Sequence, residues 1–391
     1  MKTNSKSKLL FFSGVPIDDA ALVYRAGLLA KLINRQGQKV VFTSVSANFQ
    51  KVKEQEVFGL KVKFIGQAHY QAKINFSNRK SLSLFKVIKE TLLTAWRFLK
   101  IISSQKPEAV LVFTTMPASL IVGLIAKISR VRVMIDIDDL AVGQMEAMGH
   151  PQFLIFLYDR LEKLFVKVFF EKISVCSHFL QARYSGSVLI PNMIDTDWWK
   201  TQGSRLTGEK IRQIIFIGHV NAYQGQKEVL GALIPVLRRY PQVKICFVGG
   251  GNELEKLKSF ARKKKLKSQV VFTGQVAPDQ VKKILSQSQI GILPLWDEPV
   301  HQARHPLKLL NYLAMGLVVV ANEVGEAGKM IKDQKNGLLC PAGDINCLAS
   351  RVEEVIRQSS LNQKISQQAI KSAQQCSIPK ILLKWNDFLR L

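Results

Sequence analysis

The fold of the second half of this chain is decided by the segment Ala303-Arg304-His305-Pro306-Leu307-Lys308-Leu309-Leu310-Asn311-Tyr312-Leu313-Ala314-Met315-Gly316. It predicts a helix from the proline to the glycine, because proline suits the first helical turn and glycine the position after the last. Lys308 falls in the first turn, where amides lack intrahelical partners, and Asn311 shares its face. Such a helix start with a lysine favours binding of a diphosphate, although two solvent-facing side chains fit the spacing equally well.

Short apolar runs alternate with helical spacing on both sides of this segment. In residues 201–391 the predicted strands are Ile214–Ile217, Lys244–Val248, Val270–Phe272, Ile290–Leu293, Val318–Ala321 and Leu338–Leu339. In residues 1–200 they are Leu9–Ser13, Lys39–Ser44, Val62–Ile65, Ala109–Phe113, Val131–Ile135 and Ile173–Cys176. The rhythm predicts an α/β fold of parallel βαβ units, with a doubly wound sheet in each half.

Length and composition predict two domains. A chain of 391 residues with 47% hydrophobic residues exceeds what one core usually serves. A polar, glycine-containing stretch near residues 198–211 predicts the boundary, with a first domain at 1–200 and a second at 201–376. The last segment, 377–391, has helical spacing, and we expect it to pack back on the first domain. Two Rossmann-like domains would face a cleft at the carboxyl ends of their strands, where ligands of such folds bind.

The charge of the chain is strongly positive, with 56 Lys and Arg against 29 Asp and Glu and a formal net charge of +27. Such an excess attracts anions, so a solvated basic surface and adsorption to an anionic membrane surface are both open. Nucleic acid is disfavoured as a partner, because base-stacking aromatic patterns, zinc spacing and helix-turn-helix signals are missing from the sequence. In the aromatic stretch Phe153–Phe170 we favour a core-facing helix over an interfacial amphipathic one.

Redox and targeting signals indicate a cytoplasmic protein. The five cysteines are scattered without a Cys-x-x-Cys pair, which predicts free thiols, a reducing compartment and no zinc site. Only Leu9–Phe12 follow the basic N-terminal residues as an apolar run, too short for a signal peptide. The uncharged stretch 109–126 is interrupted by Pro117, so we interpret it as a strand and a helix instead of a membrane span. Peripheral association with the inner face of a membrane stays open.

Three carboxylates, Asp136, Asp138 and Asp139, end a predicted strand of the first half. Alternation places Asp136 and Asp138 on one face of the strand, with Asp139 entering the loop. At the carboxyl edge of the sheet, such groups could orient an acceptor hydroxyl or accept its proton. A capping and turn cluster is the plainer alternative. Gly14 and Val15 follow the first strand, and we expect them, with Asp136, to shape an acceptor pocket.

Further segments of the sequence follow one another in an order typical of one enzyme family. They are Pro191-Asn192-Met193-Ile194-Asp195, Phe216-Ile217-Gly218, Val248-Gly249-Gly250-Gly251-Asn252-Glu253, Val271-Phe272-Thr273-Gly274 and Asn336-Gly337-Leu338-Leu339. With the helix that starts at Pro306, they resemble the group 1 glycosyltransferases (glycosyltransferase family 4), whose core motif is Pro-x-Lys-hydrophobic-hydrophobic-Glu-Tyr-x-Ala-x-Gly. One glycine turn is weak evidence, whereas ordered matches over roughly 150 residues are strong.

The resemblance implies a GT-B fold with a nucleotide-sugar donor in the second domain and an acceptor in the first. It also implies retention of anomeric configuration, with no metal ion and no cofactor. Lys308 would hold the diphosphate, and Asn311 would take the place of the ribose-binding glutamate. The turn at Gly218 would approach the phosphates, and the backbone near 274–276 would hold the base. The expected donor-binding residues are Gly218, His219, Gly274, Gln275, Val276, Arg304, His305, Lys308, Leu309 and Asn311.

The donor motifs depart from the family pattern. His219 replaces the usual arginine, and Gln224 replaces the lysine of a Lys-Gly pair, so two diphosphate cations are absent. Arg304, His305 or Lys227 could compensate. Asn311 offers a neutral acceptor where the family has a charged one, which weakens the expected hydrogen bonds to ribose.

The expected function is transfer of a sugar from a nucleoside diphosphate to a glycan or a lipid-linked saccharide. In the first domain, Asp138 replaces a histidine of the family and Asp139 keeps its aspartate, so both are the expected catalytic residues. Two alternatives stay open: a catalytically degenerate protein of the same fold, and another GT-B enzyme such as a sugar-nucleotide epimerase, which would form product without an acceptor.

Overall fold

A computed structural model describes residues 8–16, 23–49, 53–57, 59–68, 70–72, 79–147, 149–200, 211–221 and 224–390. Clustering of contacts divides the chain into two compact units. The first unit comprises Met1–Pro191 and Leu382–Leu391, and the second comprises Asn192–Ile381. Residues 201–210 fall outside the described residues, and they contain much of the polar stretch from which we predicted the domain boundary.

An eight-stranded sheet forms the centre of the first unit, in the strand order β10-β9-β8-β7-β1-β2-β4-β3. All its pairings are parallel except that of β3 with β4 at one edge. A separate antiparallel pair is formed by β5 and β6. The strands are β1 (Lys8–Ser13), β2 (Lys39–Ser46), β3 (Glu54–Val57), β4 (Leu60–Gln67), β5 (Tyr70–Ala72), β6 (Arg79–Ser81), β7 (Ala109–Phe113), β8 (Arg132–Ile137), β9 (Lys172–Val175) and β10 (Val188–Leu189).

Helices connect the parallel strands of this unit, as right-handed βαβ crossovers require. A π-helical turn, Val23–Gly27, precedes the first α-helix. The α-helices are α1 (Leu28–Arg35), α2 (Leu84–Gln105), α3 (Pro117–Ile128), α4 (Ala141–Ala147), α5 (Gln152–Phe169) and α6 (His178–Arg183). Pro117 begins α3 directly after β7, so the uncharged stretch 109–126 is the expected strand and helix. Within the described part of the chain, no helix combines the length and apolarity needed to cross a bilayer.

The second unit has a six-stranded, fully parallel sheet in the order β13-β12-β11-β14-β15-β16. Its strands are β11 (Gln213–Ile217), β12 (Lys244–Val248), β13 (Val270–Gly274), β14 (Ile290–Leu293), β15 (Val318–Asn322) and β16 (Leu338–Cys340). Its helices are α7 (Thr196–Trp199), α8 (Gln226–Arg239), α9 (Leu254–Lys263), α10 (Pro278–Ser286), α11 (Pro299–Gln302), α12 (Leu307–Ala314), α13 (Gly325–Met330), α14 (Ile345–Arg357) and α15 (Ser359–Ala373). The prediction of an α/β fold with a parallel sheet in each half is confirmed.

The chain passes from the first unit to the second after Pro191 and returns to the first after Ile381. We expected these boundaries at residues 200 and 376. Residues 192–199 pack with the second unit because Ile194 exchanges backbone hydrogen bonds with Cys376 and Ile378, at 2.8 Å and 3.1 Å. The last helix, α16 (Ile378–Leu389), carries Trp385, whose ring lies 5.3 Å from the Arg25 guanidinium carbon.

Arg25 and Asp136 form a buried ion pair at the centre of the first unit. The Arg25 Nε and Nη2 atoms donate to the two Asp136 carboxylate oxygens at 2.6 Å and 2.7 Å, and Ser174 Oγ donates to the same carboxylate at 2.7 Å. Burial acts to lower the pKa of Arg25, but the charge of Asp136, its hydrogen bonds and the nearby Cys176 and Asp138 together raise that pKa above its ordinary value. Asp136 has no exposed surface, so the expectation that it contacts an acceptor is wrong.

Two further expectations are corrected. Cys340 and Cys347 form a disulfide, with Cα atoms 5.8 Å apart, so five free thiols are not present. Cys340 ends β16, and Asp344 caps α14 by accepting the Cys347 amide at 2.8 Å, which brings the two residues together. Most apolar residues of α5 are exposed, whereas only Ile155 and Val166 among them are buried.

We expect Asp136→Ala to lower the free energy of unfolding by about 3–5 kcal/mol, because it leaves the Arg25 charge buried without its partner. The measurement is urea denaturation followed by circular dichroism. Asp138→Ala is the matched control, since Asp138 is half-buried and lies just beyond β8. It should cost less than about 1 kcal/mol. Equal losses in the two variants would contradict the assignment of this ion pair to the core.

Candidate functional site

A glycine turn at the end of β11 forms one side of the candidate donor site. Gly218 has φ 147°, and its amide donates to the carbonyl of Val248 at the end of β12, at 2.9 Å. Its φ is strained for residues other than glycine, and a Cβ atom there would lie 2.9 Å from the end of the Lys308 side chain, at Nζ. The turn therefore brings backbone and a cationic side chain together at the carboxyl edge of the sheet.

Tyr312 anchors helix α12 to this turn. Its ring is fully buried, and its hydroxyl accepts the amide hydrogen of Ile217, the last residue of β11, at 2.9 Å. Burial raises the pKa of the Tyr312 hydroxyl above its ordinary value, so it stays neutral. Gly291 in β14 makes room for the ring, because a Cβ there would lie 2.6 Å from ring carbons. Lys308 is one helical turn before Tyr312, so the same hydrogen bond positions its ammonium.

The Lys308 ammonium has a neutral amide and an aromatic ring as neighbours. Nζ donates to Gln224 Oε1 at 3.0 Å and lies 5.0 Å from the centroid of the Phe216 ring. Burial and, secondly, the positive charge of nearby Arg304 together lower the pKa of Lys308 to about 7. An anion bound beside Nζ would favour the protonated form and reverse this shift.

Gln224 occupies the place of a family lysine, and the structure shows how it is used. It offers a neutral oxygen to Lys308, where a second lysine would repel it. The next residue, Gly225, has φ 72° and begins α8, and the Trp296 ring fills the space where a Cβ would stand. Of the residues expected to compensate, Arg304 acts on Lys308 directly, while Lys227 is exposed and lies over the Phe260 ring.

Other expected donor residues lie at the same sheet edge. Asn311 is half-buried on α12. Gly274 ends β13 with φ 66°, and its carbonyl accepts the Gly249 amide at 2.9 Å. Gln275 is exposed and Val276 is half-buried in the following loop. His219 is exposed, and its carbonyl accepts from Gln226 Nε2 at 2.8 Å.

Two expected donor residues are directed into the core. His305 is buried, with its Nε2 atom 4.0 Å from Cys376 Sγ and its carbonyl bonded to Asn192 Nδ2 at 2.7 Å. Leu309 is fully buried, and its amide donates to the Pro306 carbonyl at 3.1 Å. Both residues support the start of α12, and the expectation that their side chains meet the ligand is wrong.

In the first unit, Gly14 lines a pocket at the carboxyl ends of β1, β2 and β4. The lining includes the start of α3 and one side of α2, and its polar members are Gln67, Glu90 and Thr91. The Gly14 amide donates to Ser119 Oγ at 3.1 Å, and a Cβ on Gly14 would collide with that oxygen. Val15 is half-buried in the same turn. Glu90 and Thr91 carried no sequence signal, because only the crossover of α2 brings them to the strand ends.

Asp138 and Asp139 follow β8, at the carboxyl edge of the first sheet. Both are half-buried. The Asp138 carbonyl accepts from Cys176 Sγ at 3.2 Å, and Asp139 Oδ1 accepts the Leu140 amide at 2.9 Å. Asp139 thus makes the turn contact of the plainer alternative.

We expect Tyr312→Phe to lower the free energy of unfolding of the second unit by about 1–3 kcal/mol, because the Ile217 amide loses its partner. Urea denaturation monitored by tryptophan fluorescence measures the loss. Tyr240→Phe removes a longer, 3.3 Å hydrogen bond to Glu353 and serves as the control. A loss no greater than that of the control would refute the anchoring role of Tyr312.

Comparison with known proteins connects this geometry to one family. Residues 199–372 match the family described as glycosyl transferases group 1. An uncharacterized glycosyltransferase of Haemophilus influenzae is 26% identical over 179 residues, which is 46% of this chain and 49% of that protein. A glycogen synthase of Mycobacterium tuberculosis is 24% identical over 177 residues, 45% of this chain and 41% of that one. The chain thus spans about half the length of the curated relatives it matches.

Solved structures are similar over nearly the whole chain. A sucrose-phosphate synthase from Thermosynechococcus elongatus superposes with a TM-score of 0.74 at 14% identity, covering 98% of both chains. Anabaena HepE in complex with UDP and glucose also gives a TM-score of 0.74, at 16% identity, covering 98% of this chain and 99% of that one. These similarities show the fold. Residues 199–372 are therefore similar to the group 1 glycosyl transferases, and the chain as a whole has the two-Rossmann-domain GT-B fold.

Proposed function

We propose that this protein is a glycosyltransferase that moves a sugar from a nucleoside diphosphate to a hydroxyl of a glycan or a lipid-linked saccharide. The observation that carries the proposal is the Lys308 ammonium, placed against the Gly218 turn at the carboxyl edge of the second sheet. Ligands of doubly wound folds bind at that edge. The match of residues 199–372 to the group 1 family supports the same reaction class.

The chemistry requires stabilisation of the departing diphosphate. In this proposal Lys308 and Arg304 supply positive charge, and the first amides of α12 add the dipole of a helix N-terminus. Asn311, one turn along, would bind the ribose. The backbone from Gly274 to Val276 would hold the base. Retention of configuration and independence from metal ions and cofactors form part of the proposal.

The acceptor is assigned to the first unit. The pocket at Gly14 offers Gln67, Glu90 and Thr91 as hydrogen-bonding groups for a saccharide. Asp138 and Asp139, at the end of β8, are the carboxylates proposed to orient the reacting hydroxyl.

The departures from the family pattern favour slow turnover, and they keep a degenerate protein as the second candidate. Lys308 donates to neutral Gln224, so the diphosphate would meet fewer cations than the family motif supplies. Release of free nucleoside diphosphate that depends on an added acceptor separates a transferase from an epimerase, which forms product from the donor alone.

We expect UDP, GDP or ADP to raise the melting temperature of the wild-type protein, because a ligand that binds only the folded state stabilises it by mass action. Lys308→Ala should lower the apparent affinity at least about tenfold, since it removes a charge-assisted bond of about 1.5–3 kcal/mol. The shift in melting temperature should therefore be smaller in this variant. Lys227→Ala, an exposed lysine of the same unit, is the matched control. An unchanged shift in Lys308→Ala would remove the residue from the site, and binding without turnover would favour the degenerate protein.

We expect the affinity for nucleoside diphosphate to fall as the pH rises above about 7. The free Lys308 has a pKa of about 7, and a bound diphosphate raises it, so binding requires proton uptake across that window. The phosphate groups are already ionised there. Titration calorimetry from pH 7 to 9, in two buffers of different ionisation enthalpy, measures the affinity and the number of protons taken up on binding. Lys308→Arg keeps its charge throughout and should bind with little pH dependence. An equally flat wild-type profile would contradict the role of the ammonium.

A further inference from the structure

Helix α2 presents an apolar stripe to solvent. Phe85 is 77% exposed, Leu92 60% and Trp96 54%, and Ile88 and Leu99 continue the stripe at helical spacing. The opposite side of the helix packs on the sheet and on α3. Such a row of large exposed side chains is unusual on a monomeric protein surface and marks a site of interaction.

Helix α5 departs from the usual amphipathic arrangement. Its buried residues are Ile155, Val166 and Glu162, and Glu162 accepts from Arg183 Nη2 at 2.9 Å. Half-buried Asp159 pairs with the same arginine. Its outward side is apolar, and the exposed residues there are Phe153, Leu154, Phe156, Leu157, Leu161, Leu164 and Val168. The helix therefore presents most of its apolar residues on an external surface.

Both stripes belong to one helical layer. Helix α2 packs against α3, and α3 packs against α5. Ile128, at the end of α3, is 72% exposed. Tyr158 of α5 donates to the Thr115 carbonyl at 2.6 Å, which fixes α5 beside the start of α3. We name the exposed apolar residues of α2, α3 and α5 the outer layer surface.

The exposed charges on α2 and α5 have one sign. Exposed cations on α2 and α5 are Lys86, Lys89, Lys100, Arg160 and Lys167. Within these two helices no Asp or Glu is exposed, because Glu90 lines the pocket and the two acids of α5 pair with Arg183. Two cations lie over surface aromatics: Lys100 Nζ is 3.5 Å from the Trp96 ring centroid, and the Arg160 guanidinium carbon is 5.2 Å from that of Phe156.

We propose that the outer layer surface docks on an anionic lipid bilayer. Aromatic and aliphatic side chains surrounded by lysine and arginine suit the boundary between headgroups and acyl chains. A second copy of the chain fits poorly, because it would bring cations against cations with no exposed acid on either helix to pair with them. The formal net charge of +27 adds long-range attraction to the same anionic surface.

The position of α2 connects this surface to the acceptor pocket. Val87, Glu90 and Thr91 line the pocket, while Ile88 and Leu92 of the same helix belong to the outer layer surface. If the proposed transfer reaction holds, a lipid-linked acceptor could keep its lipid in the bilayer while its saccharide enters the pocket. Docking itself does not depend on that reaction.

The test is co-sedimentation of the full chain with vesicles of phosphatidylcholine alone and of phosphatidylcholine with about 30% phosphatidylglycerol, near physiological salt. We expect binding to the anionic vesicles only. Phe85→Ser/Leu92→Ser on α2 and, independently, Phe153→Ser/Leu157→Ser on α5 should each reduce the partition coefficient at least about tenfold. Lys86→Gln/Lys89→Gln should reduce it about 25-fold, since each surface cation contributes about fivefold.

Matched controls separate this surface from general stickiness. Leu383→Ser removes an apolar residue that is 65% exposed on α16, and Lys267→Gln/Lys335→Gln removes two exposed cations of the second unit. Both should bind like wild type, as should Lys308→Ala, so failure of the donor site would leave this result intact. Melting temperatures confirm that the variants fold.

Several results would overturn the proposal: no binding to anionic vesicles, equal binding to neutral ones, or equal losses in the control variants. A dimer seen by light scattering and dissociated by Phe85→Ser/Leu92→Ser, without vesicle binding, would assign the surface to a second copy of the chain.

Discussion

The hydrogen bond from the Ile217 amide to the Tyr312 hydroxyl holds helix α12 at the end of β11, and the geometry of the candidate donor site depends on it. The amide at the end of β11 needs a partner, and a buried hydroxyl provides it without carrying charge. Because Lys308 precedes Tyr312 by one helical turn, the bond sets the distance between the ammonium and the Gly218 turn. Gly291 completes the arrangement by leaving room for the ring.

The two units surround their charged side chains differently. In the first, Arg25 and Asp136 pair with each other and bond to the Ile190 carbonyl and Ser174, so the pair belongs to the core. In the second, Lys308 has only the neutral Gln224 as its bonded partner in the contacts described, and its pKa falls to about 7. A cation that is costly to keep charged without an anion is well suited to bind one.

Helix α5 shows why burial could not be assigned from composition. Its aromatic and aliphatic residues favoured a core-facing helix, yet the helix buries Glu162 against Arg183 and exposes most of its apolar residues. The partner arginine is about twenty residues along the chain, in α6, and no local pattern indicates the pairing. The same limit applies to Cys340 and Cys347, whose disulfide depends on the turn between β16 and α14.

The sequence alone determined the alternating strands and helices, the parallel sheets and the helix from Leu307, since hydrophobic periodicity and the Pro306 and Gly316 signals are local. It also determined the family motifs of the second half. Tertiary structure decided which of the predicted site residues a ligand can reach: Lys308 faces the glycine turn, whereas His305 and Asp136 are buried. The physical reason is that side-chain direction depends on packing between elements distant in sequence, which spacing along one element does not encode.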